Sequence, residues 1–203
     1  MDRTKIRLSP EEIALITRPD WILTKNSVIQ KTKQLLAALQ TEQQQLLTSC
    51  ASLLPEEILT SSPKISKGEN YKGLPYLVLD YPRYFTREDA FTIRTFFWWG
   101  NFFSVTLHLS GIYKSKYTEK IISSFESLKK KEVSVCINED QWEHHFETDN
   151  YVPIHTLTVP GFEEIISKRI FIKLSKKIPL QQWDDAEKSL LKIFSQLIKT
   201  LVN

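Results

Sequence analysis

The sequence is short of glycine, with five residues in the whole chain, and that shortage removes several familiar functions at once. Dinucleotide-binding turns and phosphate-binding loops need clustered glycines, because their backbones must approach phosphates closely. No such cluster is present. Cysteine is equally scarce: Cys50 and Cys136 are too few for a disulfide framework and lack metal-ligand spacing. Each reads as a core thiol in a reducing compartment, Cys50 on a helical apolar stripe and Cys136 on a strand. Long apolar runs are missing too, since stretches such as 13–16 and 96–99 fall far short of a membrane span. Residues 1–10 carry Asp2, Arg3, Lys5 and Arg7 with no apolar run behind them, so no signal peptide or lipid anchor is expected. The expectation is a soluble, cytoplasmic chain without a membrane partner. A serine-nucleophile elbow and a metalloprotease histidine pair are also absent.

What is there suits one sizeable core: 203 residues, 41% hydrophobic and 25% charged, without a linker-like stretch. One domain over 1–203 is expected, with a helical part at 9–59 and a sheet-containing part at 74–203. Basic residues (27) barely outnumber acidic ones (24), which argues against nucleic acid even though lysines 114–131 and 173–177 interleave with aromatics.

Ser9, Pro10 and Glu12 make a capping box that starts a short helix ending near Pro19. Helical spacing of Val28, Leu35, Leu39 and Leu46 then predicts a long helix to about Cys50, and Pro55-Glu56-Glu57 begins a further turn. Residues 61–73 read as a loop. Extended patterns follow at 76–81, 91–98 and 102–110, then a helix over 115–131 and a strand at Val133, Val135 and Ile137. Asn138 and Gln141 are placed to cap a short helix over 142–146, and 151–160 fits no one period. Residues 162–168 read as helix, 170–174 as the last strand, and about 180–202 as a terminal helix. That helix carries an apolar sector of about 180°, wide enough for deep packing or an oligomer contact. Clustered strands predict an α+β fold: a mainly antiparallel sheet of about five strands, with N-terminal helices and a long C-terminal helix on one face.

The segment 91–110 carries the candidate site, because its hairpin register decides which side chains share a face. A two-residue Gly100-Asn101 turn would mix both faces. A three-residue loop, Trp99-Gly100-Asn101, places Ile93, Thr95, Phe97, Phe103, Val105, Leu107 and Leu109 on one face and Thr92, Arg94, Phe96, Trp98, Phe102, Ser104, Thr106 and His108 on the other. The second arrangement is the expected one, since one apolar face can then take the helices. On the other face, Arg94 can hold a carboxylate or phosphate, Trp98 and Phe102 can stack on a planar group, Ser104 and Thr106 offer hydroxyls, and His108 can exchange a proton. Asp80 can orient Arg94, and Arg83 follows on the same strand. The alternative is structural: an Arg94–Asp80 ion pair, a cross-strand aromatic pair and a hydrogen-bonded histidine.

Glu143-His144-His145-Phe146-Glu147-Thr148-Asp149 is the one metal-like composition, but adjacent histidines diverge by about 100° on a helix, so no metal is expected. No cofactor is expected either. Two function classes remain: a binding or protein-interaction module, with a homo-oligomer or a small anionic ligand as partner, and an enzyme acting on an anionic substrate at the Arg94/His108 face.

Overall fold

Seven strands join in one antiparallel sheet, and the computed structural model places every long helix against the inner face of that sheet or beside it. It describes residues 6–202. The expectation for residues 1–10 therefore rests partly on residues 1–5, which lie outside the described ones. The helices are α1 (Pro10–Ile16), α2 (Asp20–Ser49), α3 (Glu56–Leu59), α4 (Gly111–Ser123), α5 (Phe125–Lys130), α6 (Val159–Lys168) and α7 (Ala186–Val202). The strands are β1 (Lys64–Tyr71), β2 (Leu74–Phe85), β3 (Ala90–Trp98), β4 (Phe102–Ser110), β5 (Ser134–Cys136), β6 (Tyr151–Pro153) and β7 (Phe171–Pro179), in the spatial order β1-β2-β3-β4-β7-β5-β6.

The fold is thus α+β and antiparallel, with two strands more than expected. One addition is β1, in the stretch read as a loop. Its polar sequence, Lys64-Ile-Ser-Lys-Gly-Glu-Asn-Tyr71, hides it from a hydrophobic pattern, and such polarity suits an exposed sheet edge. A two-residue Lys72-Gly73 turn joins it to β2. The other addition, β6, pairs with β5 over three residues and came from the stretch of mixed period. Two helical expectations also need correction. The helix expected over 115–131 begins at Gly111 and breaks at Ser124 into α4 and α5. The one expected over 142–146 is irregular backbone, because the Asn138 side chain accepts from Asp140 N (2.8 Å) and that of Asp140 from Trp142 N (2.8 Å). Asn138, expected as a helix cap, closes a turn, and Asp140 closes the next one.

The β3–β4 hairpin has the three-residue loop. Phe97 pairs with Phe103, Ile93 with Leu107 and Arg94 with Thr106, and Gly100 takes the positive φ (+73°) that the turn requires. Phe97, Phe103, Val105, Leu107 and Leu109 consequently enter the main core with Leu190, Phe194, Leu197 and Ile198 of α7. The wide apolar sector of α7 is used by that core. At the other end of β4, a Cβ on Gly111 would meet Asp89 Oδ1 at 2.0 Å, so only glycine lets Asp89 reach in and accept from Ile112 N (2.8 Å) at the start of α4.

The far end of the molecule is different. No residue of α1 is buried; Trp21 Nε1 donates to the Leu15 carbonyl (3.1 Å), tying α1 to α2 outside the core. No helix among the described residues is long and apolar enough to cross a membrane.

Candidate functional site: a covered sheet face with an open cleft

The outer face of the sheet carries the even-numbered residues of β3 and β4 and, by register, Phe171, Lys173, Ser175 and Lys177 of β7. The sequence leaves undecided whether this polar face is open to a ligand or covered as a structural surface. The structure covers most of it: the irregular segment 137–150 lies across the face, held down by side chains at successive positions. Gln141 Oε1 accepts from His108 Nε2 (3.0 Å), and Lys173 Nζ donates to the Glu143 carbonyl (2.5 Å). The Tyr71 hydroxyl accepts from the backbone N–H groups of His144 (2.7 Å) and His145 (3.0 Å) and donates to Glu143 Oε2 (2.8 Å). Phe146 stacks on Tyr151 at 4.6 Å and meets Phe102 edge-on at 5.2 Å. On this irregular backbone, which is neither the helix nor the strand from which divergence was argued, the adjacent histidines still part: His144 turns to Arg94, His145 to Glu143 and Asp149.

Arg94 is the hinge of the arrangement. Its Nε and Nη2 grip both oxygens of Asp80 (2.7 and 2.9 Å), and its Nη1 lies 3.1 Å from His144 Nε2. A guanidinium can only donate, so His144 Nε2 accepts and its proton sits on Nδ1. Burial pushes the His144 pKa well below the usual histidine range, and the charges of Arg94 and Lys173 push the same way. Burial likewise lowers His108 to about 3, again helped by Lys173 and Arg94. Lys173, 1% exposed, falls to about 8 because its ammonium is desolvated. Burial raises the Cys136 thiol, whose Sγ donates to Asn150 Oδ1 (3.3 Å). That thiol is buried, but on the outer face, away from the helical core.

The candidate residues divide accordingly. Asp80 and Arg94 meet as the ion pair named among the alternatives. Trp98 is buried with Phe102, and its Nε1 donates to the Tyr71 carbonyl (3.2 Å). Ser104 and Thr106 are buried, Thr106 Oγ1 bonding Ser175 Oγ at 2.7 Å. His108 lies beneath the cover. Arg83 is half-exposed and sits 5.9 Å from the Phe85 ring; a register shift between Asp80 and Arg83 makes it pair with Thr92, and so turns an odd-numbered residue to the outer face.

Part of the face stays open. A cleft of about 310 Å³ is lined by Ser66, Tyr71, Tyr76, Val78, Asp80, Arg94, Trp142 and His144. Only Asp80 and Arg94 of the sequence candidates reach it. Ser66, Tyr71 and Tyr76 come from the β1–β2 hairpin, half of which was read as a loop, while Trp142 and His144 come from the covering segment. A signal for the second pair existed: Trp142, His144, His145 and Phe146 crowd ring side chains into a segment without helical structure, and such side chains need a surface to lie on. Trp142 stacks 5.9 Å from the Arg94 guanidinium yet remains 49% exposed, forming a wall between protein and solvent.

No protein-family model, curated protein or solved structure matches this chain.

Proposed function

We propose that the chain is a binding module for a small planar carboxylate, seated in the cleft between Tyr76, Trp142 and the Arg94–Asp80 pair. The observation that carries this reading is the state of Arg94 inside an aromatic-walled cleft. Three of its five N–H groups are engaged by Asp80 and His144, which leaves two for a ligand. Asp80 holds the guanidinium flat, so those two donors are fixed in direction before a ligand arrives. Trp142, His144 and Ser66 also line the cleft and carry an indole N–H, an Nδ1–H and a hydroxyl, while the rings favour a flat partner. A carboxylate on an aromatic ring satisfies both demands. His108, the acid–base candidate of the enzyme reading, is not among the cleft-lining residues.

Titration with 2-naphthoate, followed by calorimetry, tests the proposal. Binding on the order of 0.1–1 mM is expected for a ligand of this size, and cyclohexanecarboxylate should bind at least about tenfold more weakly. Trp142→Ala should abolish binding while the melting temperature stays put. Equal affinity for the two acids, or no heat with naphthoate up to about 10 mM, overturns the reading.

A second reading rests on a separate observation. Leu8, Ile13, Leu15, Ile16, Trp21 and Leu23 are all exposed at the α1–α2 junction, an apolar surface of the kind that marks interaction sites. Glu11 and Glu12 start α1 and Arg18 follows its end, so a two-fold antiparallel pairing with a second copy would set opposite charges together. Light scattering should then find a dimer that Ile16→Glu with Leu23→Glu converts to a monomer; a monomeric parent at high concentration excludes it.

A further inference from the structure

Another cleft lies away from the outer-face site, where the end of α5, β7 and α7 converge. It encloses about 530 Å³, and its walls include Lys130, Lys131, Lys176, Lys177 and Lys192 against one carboxylate, Glu132. Among the described residues, only Lys176 of the five pairs with a carboxylate, its Nζ meeting Glu132 Oε2 at 3.0 Å and the Lys131 carbonyl at 2.8 Å. That contact fixes Lys176 and caps a carbonyl that would otherwise repel an anion. The Lys177 ammonium does not join the groove's charge, since it lies over the Phe102 and Phe146 rings (5.6 and 5.2 Å) on the outer face of the sheet. Lys130 and Lys131 on one wall and Lys192 on the other are left as the groove's cations without a carboxylate partner among the described residues, with Lys130 and Lys192 exposed. Ammonium groups on both sides of one groove reinforce each other's potential, and a concave low-dielectric wall concentrates it. Gln182, in the turn before α7, and Ser189 and Gln196 on α7 supply neutral polar groups along that wall, while Ile178 and Ile193 close the floor.

We infer that this groove binds a compact ligand carrying several linked phosphates. The charge distribution selects the class. A single phosphate can meet only part of a cleft this wide, whereas adjacent phosphates can meet lysines on both walls together. No aromatic side chain lines the groove, so it lacks the stacking surface that a nucleobase would use. The ligand is therefore recognised by its phosphates, whether they belong to a soluble polyphosphate or to a phosphorylated lipid headgroup.

Sodium tripolyphosphate is the probe. In low-salt buffer it should bind at least about 30-fold more tightly than inorganic phosphate, and affinity should fall about tenfold between 50 and 200 mM salt as counterion release loses its advantage. Lys130→Ala with Lys192→Ala should weaken binding at least about tenfold without moving the melting temperature, since both side chains are exposed. A control pair with the same charge loss, Lys64→Ala with Lys199→Ala, should change affinity less than about twofold. Equal weakening by the two pairs would show that net charge alone attracts the probe and would overturn the groove. Preference for a single-stranded oligonucleotide over tripolyphosphate would also overturn it. Vesicles carrying a bisphosphorylated inositol lipid then separate the two sources: co-sedimentation that free tripolyphosphate displaces assigns the headgroup, and no co-sedimentation assigns the soluble ligand.

Discussion

Both faces of the central sheet are covered, but by opposite means. The inner face meets helices through side chains such as Phe97, Phe103, Leu107 and Phe194 that carry no polar atoms and are at most 2% exposed. The outer face meets a segment without helix or strand through Arg94, His108, Lys173 and Tyr71, each making a directed hydrogen bond. Apolar burial is non-directional and indifferent to proton concentration near neutrality. Polar burial depends on every partner being present and in the right charge state. One sheet therefore carries a face whose stability is set by volume and a face whose stability is set by ionisation.

The largest effects should come from the inner face. Phe103→Ala removes a ring packed 5.1 Å from Phe97 and 5.7 Å from Trp183, and should cost about 3–5 kcal/mol in urea unfolding, equally at pH 6 and pH 8. Next is Arg94→Ala, which strands the Asp80 carboxylate at 7% exposure and should cost about 3 kcal/mol. The comparison sharpens in the double variant: Arg94→Ala with Asp80→Ala should recover much of that loss, because no unpaired charge remains. Strict additivity would mean that the pair contributes no coupling and that the outer face is held by something else.

The sequence made the hairpin register legible because Phe97, Phe103, Val105 and Leu107 can share an apolar face only with an odd loop, and one slipped residue would expose them all. That same parity argument collected Arg94, Ser104, Thr106 and His108 on the outer face. It could not say whether the face was open. The cover comes from residues 137–150, whose polar composition reads as a surface segment and whose contacts are to residues far away in the chain. Local pattern has no term for such pairings. β1 was hidden for a related reason: Lys64, Ser66, Lys67 and Glu69 suit an edge strand, but without a buried face they leave no alternation to read.

Acid should separate the two faces. His108 and His144 are held neutral in the fold, with pKa values below that of an unfolded histidine, near 6.5. Below pH 6.5 the unfolded chain binds protons that the folded chain refuses, so the stability present above that pH is lost as pH falls toward the folded values, about 3 for His108. The two histidines together should remove about 2–3 kcal/mol between pH 7.5 and 5.5. His108→Gln should roughly halve that slope. A slope unchanged by His108→Gln and by the matching change at His144 would place the acid sensitivity elsewhere.

Lys173 gives the smallest effect and the one whose sign is most informative. Its ammonium has left water for a site with a single backbone carbonyl as hydrogen-bond partner and with Arg94 adding repulsion, and its pKa has dropped to about 8. A folded value below the unfolded one means that the unfolded chain binds more protons between about pH 8 and 10.5, so the fold gains stability as pH rises through that window. At neutral pH the full penalty is present, about 3 kcal/mol for a shift of this size. Lys173→Met keeps the chain length and removes the charge, but it strands the Glu143 carbonyl, which takes back about 1–3 kcal/mol. The net expectation is a variant about 1 kcal/mol more stable than the parent at pH 7, with that advantage shrinking from pH 8 upward as the parent's lysine loses its proton. Urea unfolding of both proteins at pH 7 and pH 10 reads the difference directly. If Lys173→Met instead destabilises by the same amount at both pH values, the ammonium is acting as one more packed side chain, and the outer face would then follow the rule of the inner one.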